Sequence, residues 1–191
     1  MQGGYRDQSL TTASAVLNTE QWRWLQPKVR DGDAVIKPRV GHAMASIRSK
    51  IYLFGGLTET GLSDELWIFD LETLTWSKMP TFGAAPCARK GASLVATDDG
   101  RKMYLFGGAT ATKALNDVHV LDADHFSWTV LGTVGTCPPP REGAAVSCLA
   151  PYLLVAGGHK VSENGSRSLV TDSWVLHLQQ CAPLTALVPI K

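Results

Sequence analysis

The chain has 191 residues, of which 45% are hydrophobic and 18% charged, and its formal net charge is +1. This is the profile of a globular protein, and the near-neutral balance argues against a nucleic-acid-binding or membrane-binding surface. No apolar stretch approaches the roughly 18 residues of a transmembrane helix, and Met1-Gln2-Gly3-Gly4 opens without the charged and apolar regions of a signal peptide.

In chain order, the first signal is the glycine pair Gly3-Gly4, followed by candidate strands at residues 13–18 and 21–25, the second carrying Trp24. The next unit begins Pro38-Arg39-Val40-Gly41-His42 and continues through small, alternating residues to position 47. Residues 51–54 then form an apolar β-former run ended by Gly55-Gly56. After a polar gap, residues 66–69 repeat the apolar run, and residues 73–78 carry Trp76. The following unit repeats the order: Pro86, Arg89 and Gly91, small residues to position 96, an apolar run at 103–106 and Gly107-Gly108. It goes on with an apolar run at 118–121 and a strand at 126–131 around Trp128. The last unit has Pro140-Arg141-Glu142-Gly143, small residues to 149, an apolar run ending in Gly157-Gly158, and the sequence Asp172-Ser173-Trp174-Val175-Leu176. Trp24, Trp76 and Trp128 are spaced by 52 residues, too long a period for helical hairpin arrays and suited to a four-stranded blade. No window sustains a helical apolar period, so very little helix is expected.

This pattern of Arg-x-Gly, an apolar strand ending in Gly-Gly, an acid-flanked strand and a late tryptophan closely resembles the kelch repeat, over nearly the whole chain. The resemblance implies an all-β, kelch-type β-propeller segment of about three and a half four-stranded blades. The units divide as 1–27 (the last strands of a blade), 28–80, 81–132 and 133–191, the last without a closing tryptophan strand. Kelch propellers usually close with five to seven blades, which removes exposed strand edges. The segment is therefore expected to be a piece of a larger ring, to complete a ring with a second copy or another propeller half, or to close on itself through its terminal strands.

Residues that recur in every unit are expected to serve the scaffold. Paired glycines supply positive φ and close backbone approach. Arg39, Arg89 and Arg141 share one repeat position and should bond carbonyls or acidic side chains nearby, with a contact to an acidic peptide as the alternative. Tyr52, Tyr104, Trp76 and Trp128 should bury large apolar faces, with the tryptophans bridging blades. Cys87, Cys137, Cys148 and Cys181 form no C-x-x-C pair; Cys148 reads as a small core residue, and the sequon at Asn164-Gly165-Ser166 as accidental.

Function is expected where the units differ. The segment after the third glycine pair, residues 159–171, has counterparts at 57–63 and 109–115 and is longer by five residues when Leu176 is aligned with Phe69 and Leu121. It carries His159, Lys160, Glu163, Asn164, Arg167 and Ser168, a reasonable contact surface. The connections at 28–37, 81–88 and 132–140 also vary, and Pro138-Pro139-Pro140 should stiffen the last of them. The resemblance implies a protein–protein interaction module, a scaffold, adaptor or partner-recognition domain. It implies no catalytic activity of its own, no cofactor and no metal, a protein partner rather than nucleic acid or membrane, and a cytoplasmic or nuclear setting. Two alternatives are a structural subunit of a large assembly and an enzyme-associated propeller of the oxidase or epimerase kind. Against the enzyme, the five histidines (His42, His119, His125, His159 and His177) are scattered, and no phosphate loop or nucleophile elbow appears.

Overall fold

A computed structural model describes residues 5–6, 9–10, 15–25, 35–162, 166–178 and 182–183. Every strand or helix run among them longer than one residue is a β-strand. The pair Gly3-Gly4, most of the 28–37 connection, Glu163, Asn164, Gly165, Cys181 and residues 184–191 lie outside the described residues.

Three antiparallel sheets follow one another along the chain. The first takes its strands in sequence order, Ala43–Ile47, Lys50–Phe54, Leu66–Asp70 and Thr75–Met79. The second repeats that meander with Ser93–Ala96, Lys102–Ala109, Ala114–Asp122 and Ser127–Gly132. Phe82–Gly83, from the connection between them, adds to the second sheet in parallel beside Ser127–Trp128. The third has Ala145–Leu149, Tyr152–Ala156 and Ser173–His177. Ahead of them, Val16–Asn18 pairs with Arg23–Leu25. The small-residue strands at the start of the three sheets stand beside one another. Along their beginnings, Gly91 N donates to Gly41 O and Gly143 N to Gly91 O, each at 2.7 Å. This is a segment of a β-propeller, with the crowded strand of each sheet kept small so that neighbours can approach.

Short turns repeat as faithfully as strands. Asp70 Oδ1 accepts from the amides of Glu72 and Thr73, Asp122 Oδ1 from those of Asp124 and His125, and Asn18 Oδ1 from those of Glu20 and Gln21. Four residues after each acceptor, Leu74, Phe126 and Trp22 take positive φ of 58°, 52° and 52°. Asn18 therefore does the work of the two aspartates, as side chains that mimic a backbone turn can.

The segments after the glycine pairs, which read as polar loops in the sequence, are β-hairpins. Leu57–Thr58 pairs with Gly61–Leu62, and His159–Val161 with Arg167–Leu169. In the second unit the strand runs through the glycines with a register shift, so that Ala109 faces Ala114. The cause is backbone pairing across the glycine bend: Val40 bridges Leu57, Lys90 bridges Ala109 and Glu142 bridges His159.

The core lies between sheets. Phe54, Leu66 and Ile68 of the first pack with Met103, Leu105, Leu121 and Trp128 of the second. Trp128 is 1% exposed and meets Phe54 edge-on at 5.3 Å, so it bridges sheets as expected. Trp76 packs differently, with Leu53, Trp67, Phe69 and Ile36. Tyr104, Phe106 and Val118 pack with Cys148, Leu153 and Val155, which places Cys148 in the core.

Glycine pairs are required by contact as much as by conformation. A Cβ on Gly55 would lie 2.7 Å from the Arg89 carbonyl oxygen, and one on Gly107 2.8 Å from that of Arg141. Gly108, at φ 93°, would meet the Ala92 amide nitrogen and the Lys90 carbonyl oxygen, both at 2.8 Å. Gly135 has nearly the same φ, 89°, with nothing within 4 Å. Gly135→Ala should therefore cost only the conformational strain, about 1 kcal/mol, whereas Gly108→Ala should cost about 3 kcal/mol or more. Equal losses in denaturant melts of the two variants would remove the close-packing argument.

Candidate functional site

Two groups of polar residues stand out: the recurring arginines and the hairpin of the third unit. The arginines are buried, with exposures of 2% for Arg39, 1% for Arg89 and 0% for Arg141. Each guanidinium is held the same way. Nε donates to the carbonyl two residues earlier, that of Lys37, Cys87 or Pro139. Nη1 donates to the first glycine of its own unit, Gly55, Gly107 or Gly157. The outer nitrogens also reach an acid, Glu65 or Asp172 just before the third strand of the sheet or Asp117 within it: Glu65 for Arg39, and both oxygens of Asp117 and Asp172 for Arg89 and Arg141. A planar, five-donor fork suits such a set of acceptors, and a lysine would not reproduce it.

The acids take further donors from their own strands. Trp67 Nε1 donates to Glu65 at 3.0 Å, and His119 Nε2 lies 3.0 Å from Asp117 at the same repeat position. His119 Nδ1 faces the Ala84 carbonyl at 3.2 Å, and the ring is buried. His119 is a packed strand residue, as its alignment with Trp67 and Trp174 implies. Burial pushes the Glu65 carboxyl up, but hydrogen bonds from Lys78, Trp67 and Arg39 outweigh it and hold the group at about 2. Burial likewise opposes ionisation of Asp117, and His119 and Arg89 overcome it, keeping that carboxyl well below the usual range. Hydrogen bonds from Arg141 hold Asp172 low, at about 2.

The expected bonding of the arginines to carbonyls and acids is what the structure shows. Their donors face inward, which leaves the hairpin as the more accessible of the two groups. On it Lys160 is exposed and His159 half-buried. Arg167 is exposed, and its Nε pairs with Glu142 Oε1 at 2.7 Å. Leu169 presents an apolar side chain to solvent on the Arg167 face of the hairpin, at 77% exposure, while Lys160, paired with Ser168, lies on the other face. The sequence reading passed over both Glu142 and Leu169: the first looks like part of the Arg-x-Gly signature, and exposure of the second depends on hairpin register. No group of three or more His, Cys, Asp or Glu side chains among the described residues is placed to hold a metal ion, and no helix there is long and apolar enough to cross a membrane.

The acid clamps set a pH dependence. Glu65 titrates lower in the fold than its ordinary value of 4.5, so its contribution is complete above that pH and is lost as pH falls through about 2. The Glu65→Gln variant should accordingly show a shallower fall in stability between those limits than the parent chain, in urea melts at several pH values. Identical pH slopes would mean that Glu65 carries no such linkage.

Comparison with known proteins agrees with the geometry. The family model described as the KLHDC2/KLHL20/DRC7 Kelch-repeats domain matches residues 1–158. Kelch domain-containing protein 3 of Bos taurus is 34% identical over 152 residues, covering 75% of this chain and 39% of that protein. Acyl-CoA-binding domain-containing protein 6 of Oryza sativa subsp. japonica is 32% identical over 167 residues, 82% of this chain and 25% of that protein. Dynein regulatory complex subunit 7 of Chlamydomonas reinhardtii is 32% identical over 126 residues, 64% of this chain and 11% of that protein. The chain thus spans well under half the length of these relatives. With its Arg-acid clamps, glycine pairs and meandering four-stranded sheets, it belongs to the Kelch-repeats family.

Proposed function

We propose that this chain is a protein–protein interaction module, a propeller scaffold or partner-recognition domain with no catalytic activity of its own. The observation that carries the reading is the division of its polar groups. The repeating ones are consumed inside the sheets, while the non-repeating ones, Lys160 and Arg167 with the apolar Leu169, project from a hairpin that the other units keep short. A mixed cationic and apolar surface on a rigid sheet is suited to a protein partner of acidic character. Arg141 holds the base of that hairpin from within, through Gly157 and Asp172, and Arg39 and Arg89 do the same for the units before it. Three described cysteines, Cys87, Cys137 and Cys148, are free thiols, which suits a reducing compartment such as the cytoplasm.

A second reading, a structural subunit of a large assembly, draws on the name of the dynein regulatory complex relative and on the apolar side chains that the third sheet exposes, Leu149, Leu154 and Val175.

The test is a paired measurement on the Lys160→Ala/Arg167→Ala variant. Its stability should fall by no more than about 2 kcal/mol, because Arg167 is exposed although its partner Glu142 is buried. Its yield of specific partners in quantitative proximity labelling should drop at least about tenfold. A labelling profile unchanged from the parent chain would sink the hairpin as the contact surface.

A further inference from the structure

At the end of the sheets away from the glycine pairs, the first and second sheets enclose a cavity of about 240 Å³. The turn between Ala43–Ile47 and Lys50–Phe54 forms one side, and Gly100 with the turn after Ala114–Asp122 forms the other. Ile47, Ala123 and Phe126 give it apolar walls. Of the polar side chains around it, two are engaged elsewhere: Ser49 Oγ donates to Glu72 Oε1 at 3.1 Å, and Lys50 stands opposite Asp70 in the adjoining strand. Arg48, Asp124 and Tyr52 remain. Arg48 and Asp124 stand exposed at the rim, and neither forms an ion pair among the described residues. Tyr52 is 4% exposed, yet its hydroxyl meets no hydrogen-bond partner among the described residues. Burial and the charge of Asp124 raise its phenol, with Arg48 opposing them, so the group stays a neutral donor at physiological pH. Arg48 also holds φ 53°, a left-handed position that glycine favours and that Gly100 takes, at 64°, in the turn of the second unit.

We propose that this cavity is a binding site for a small α-amino acid, held by its carboxylate and its ammonium together. The three unengaged groups match that head group. The planar guanidinium of Arg48 suits a carboxylate, which also accepts from the buried Tyr52 hydroxyl. The Asp124 carboxylate takes the ammonium. A simple anion would meet the charge of Asp124, and a simple cation that of Arg48. A molecule carrying both charges leaves neither side uncompensated as it enters. An apolar cavity of roughly 150 Å³ accepts a benzene ring, so this larger one has room for the head group and a short side chain against Ile47, Ala123 and Phe126. The site goes beyond the reading of the chain as an interaction module. It lies at the opposite end of the sheets from the hairpin of Lys160 and Arg167.

The probes are L-alanine, propanoate and ethylammonium, each titrated into the isotope-labelled 191-residue chain and followed by amide resonances in nuclear magnetic resonance spectra. The expected result with alanine is a saturable shift of the Gly100 and Asp124 amides. Propanoate, which lacks the ammonium, and ethylammonium, which lacks the carboxylate, should each bind at least about tenfold more weakly. Arg48→Gln and Asp124→Asn should each weaken alanine binding about tenfold, and Tyr52→Phe, which keeps the ring and removes the hydroxyl, about threefold or more. The comparison of the three probes on the parent chain remains decisive if a variant fails to fold. The Lys160→Ala/Arg167→Ala chain should bind alanine as the parent does, so failure of the hairpin reading leaves this outcome untouched. Absence of saturation up to roughly 20 mM alanine would overturn the proposal. So would equal affinity for propanoate or for ethylammonium, since the cavity would then take a bare ion.

Discussion

Arg89 and Arg141, at one repeat position, each belong to two sheets at once, and the arrangement of the molecule depends on that. The side chain of Arg89 closes its own unit onto Gly107 and Asp117, while its backbone joins the preceding one: Arg89 O accepts from Gly56 N at 2.8 Å, and Arg89 N donates to Ser63 O at 3.2 Å. Arg141 repeats the device, accepting from Gly108 N and donating to Leu115 O, both at 2.9 Å. The glycines complete it, because a side chain at Gly55 or Gly107 would occupy the volume of the very carbonyl that docks there. A buried guanidinium is tolerated only when its donors are matched, and here carbonyls and a carboxylate match them in every unit. The acid, in turn, is held ionised by the groups that surround it. Sheet closure and sheet-to-sheet attachment are thus one interaction seen from two sides.

Such a frame leaves few polar groups for chemistry and frees the rest of the chain to vary. Hairpins after the glycine pairs are anchored at their base by the bridges at Val40, Lys90 and Glu142, so their tips can change length without disturbing the sheets. The third unit uses that freedom in its hairpin.

Much of this was legible in the sequence because repetition exposes structural necessity. Arg39, Arg89 and Arg141 fall at one repeat position and so had to serve a repeated structural need. Asn18 could be matched to Asp70 and Asp122 by position, and the shared turn bears that out. What stayed hidden depends on contacts between sheets. The chain of glycine hydrogen bonds from Gly41 through Gly91 to Gly143 joins residues about fifty positions apart, and no local pattern announces it. The hairpins read as loops because their strands are only two or three residues long, too short for an alternating signal.

The arginine segments lock neighbouring sheets together, and hydrogen exchange at two amides tests this most directly. The Gly56 and Gly108 amides, which donate to Arg89 and Arg141 across the sheet boundary, should exchange as slowly as the strand-core amides of Phe54 and Phe106, opening only with global unfolding. Exchange as fast as that of the hairpin tip at Thr112 would contradict it, because the sheets would then part locally while each remained folded.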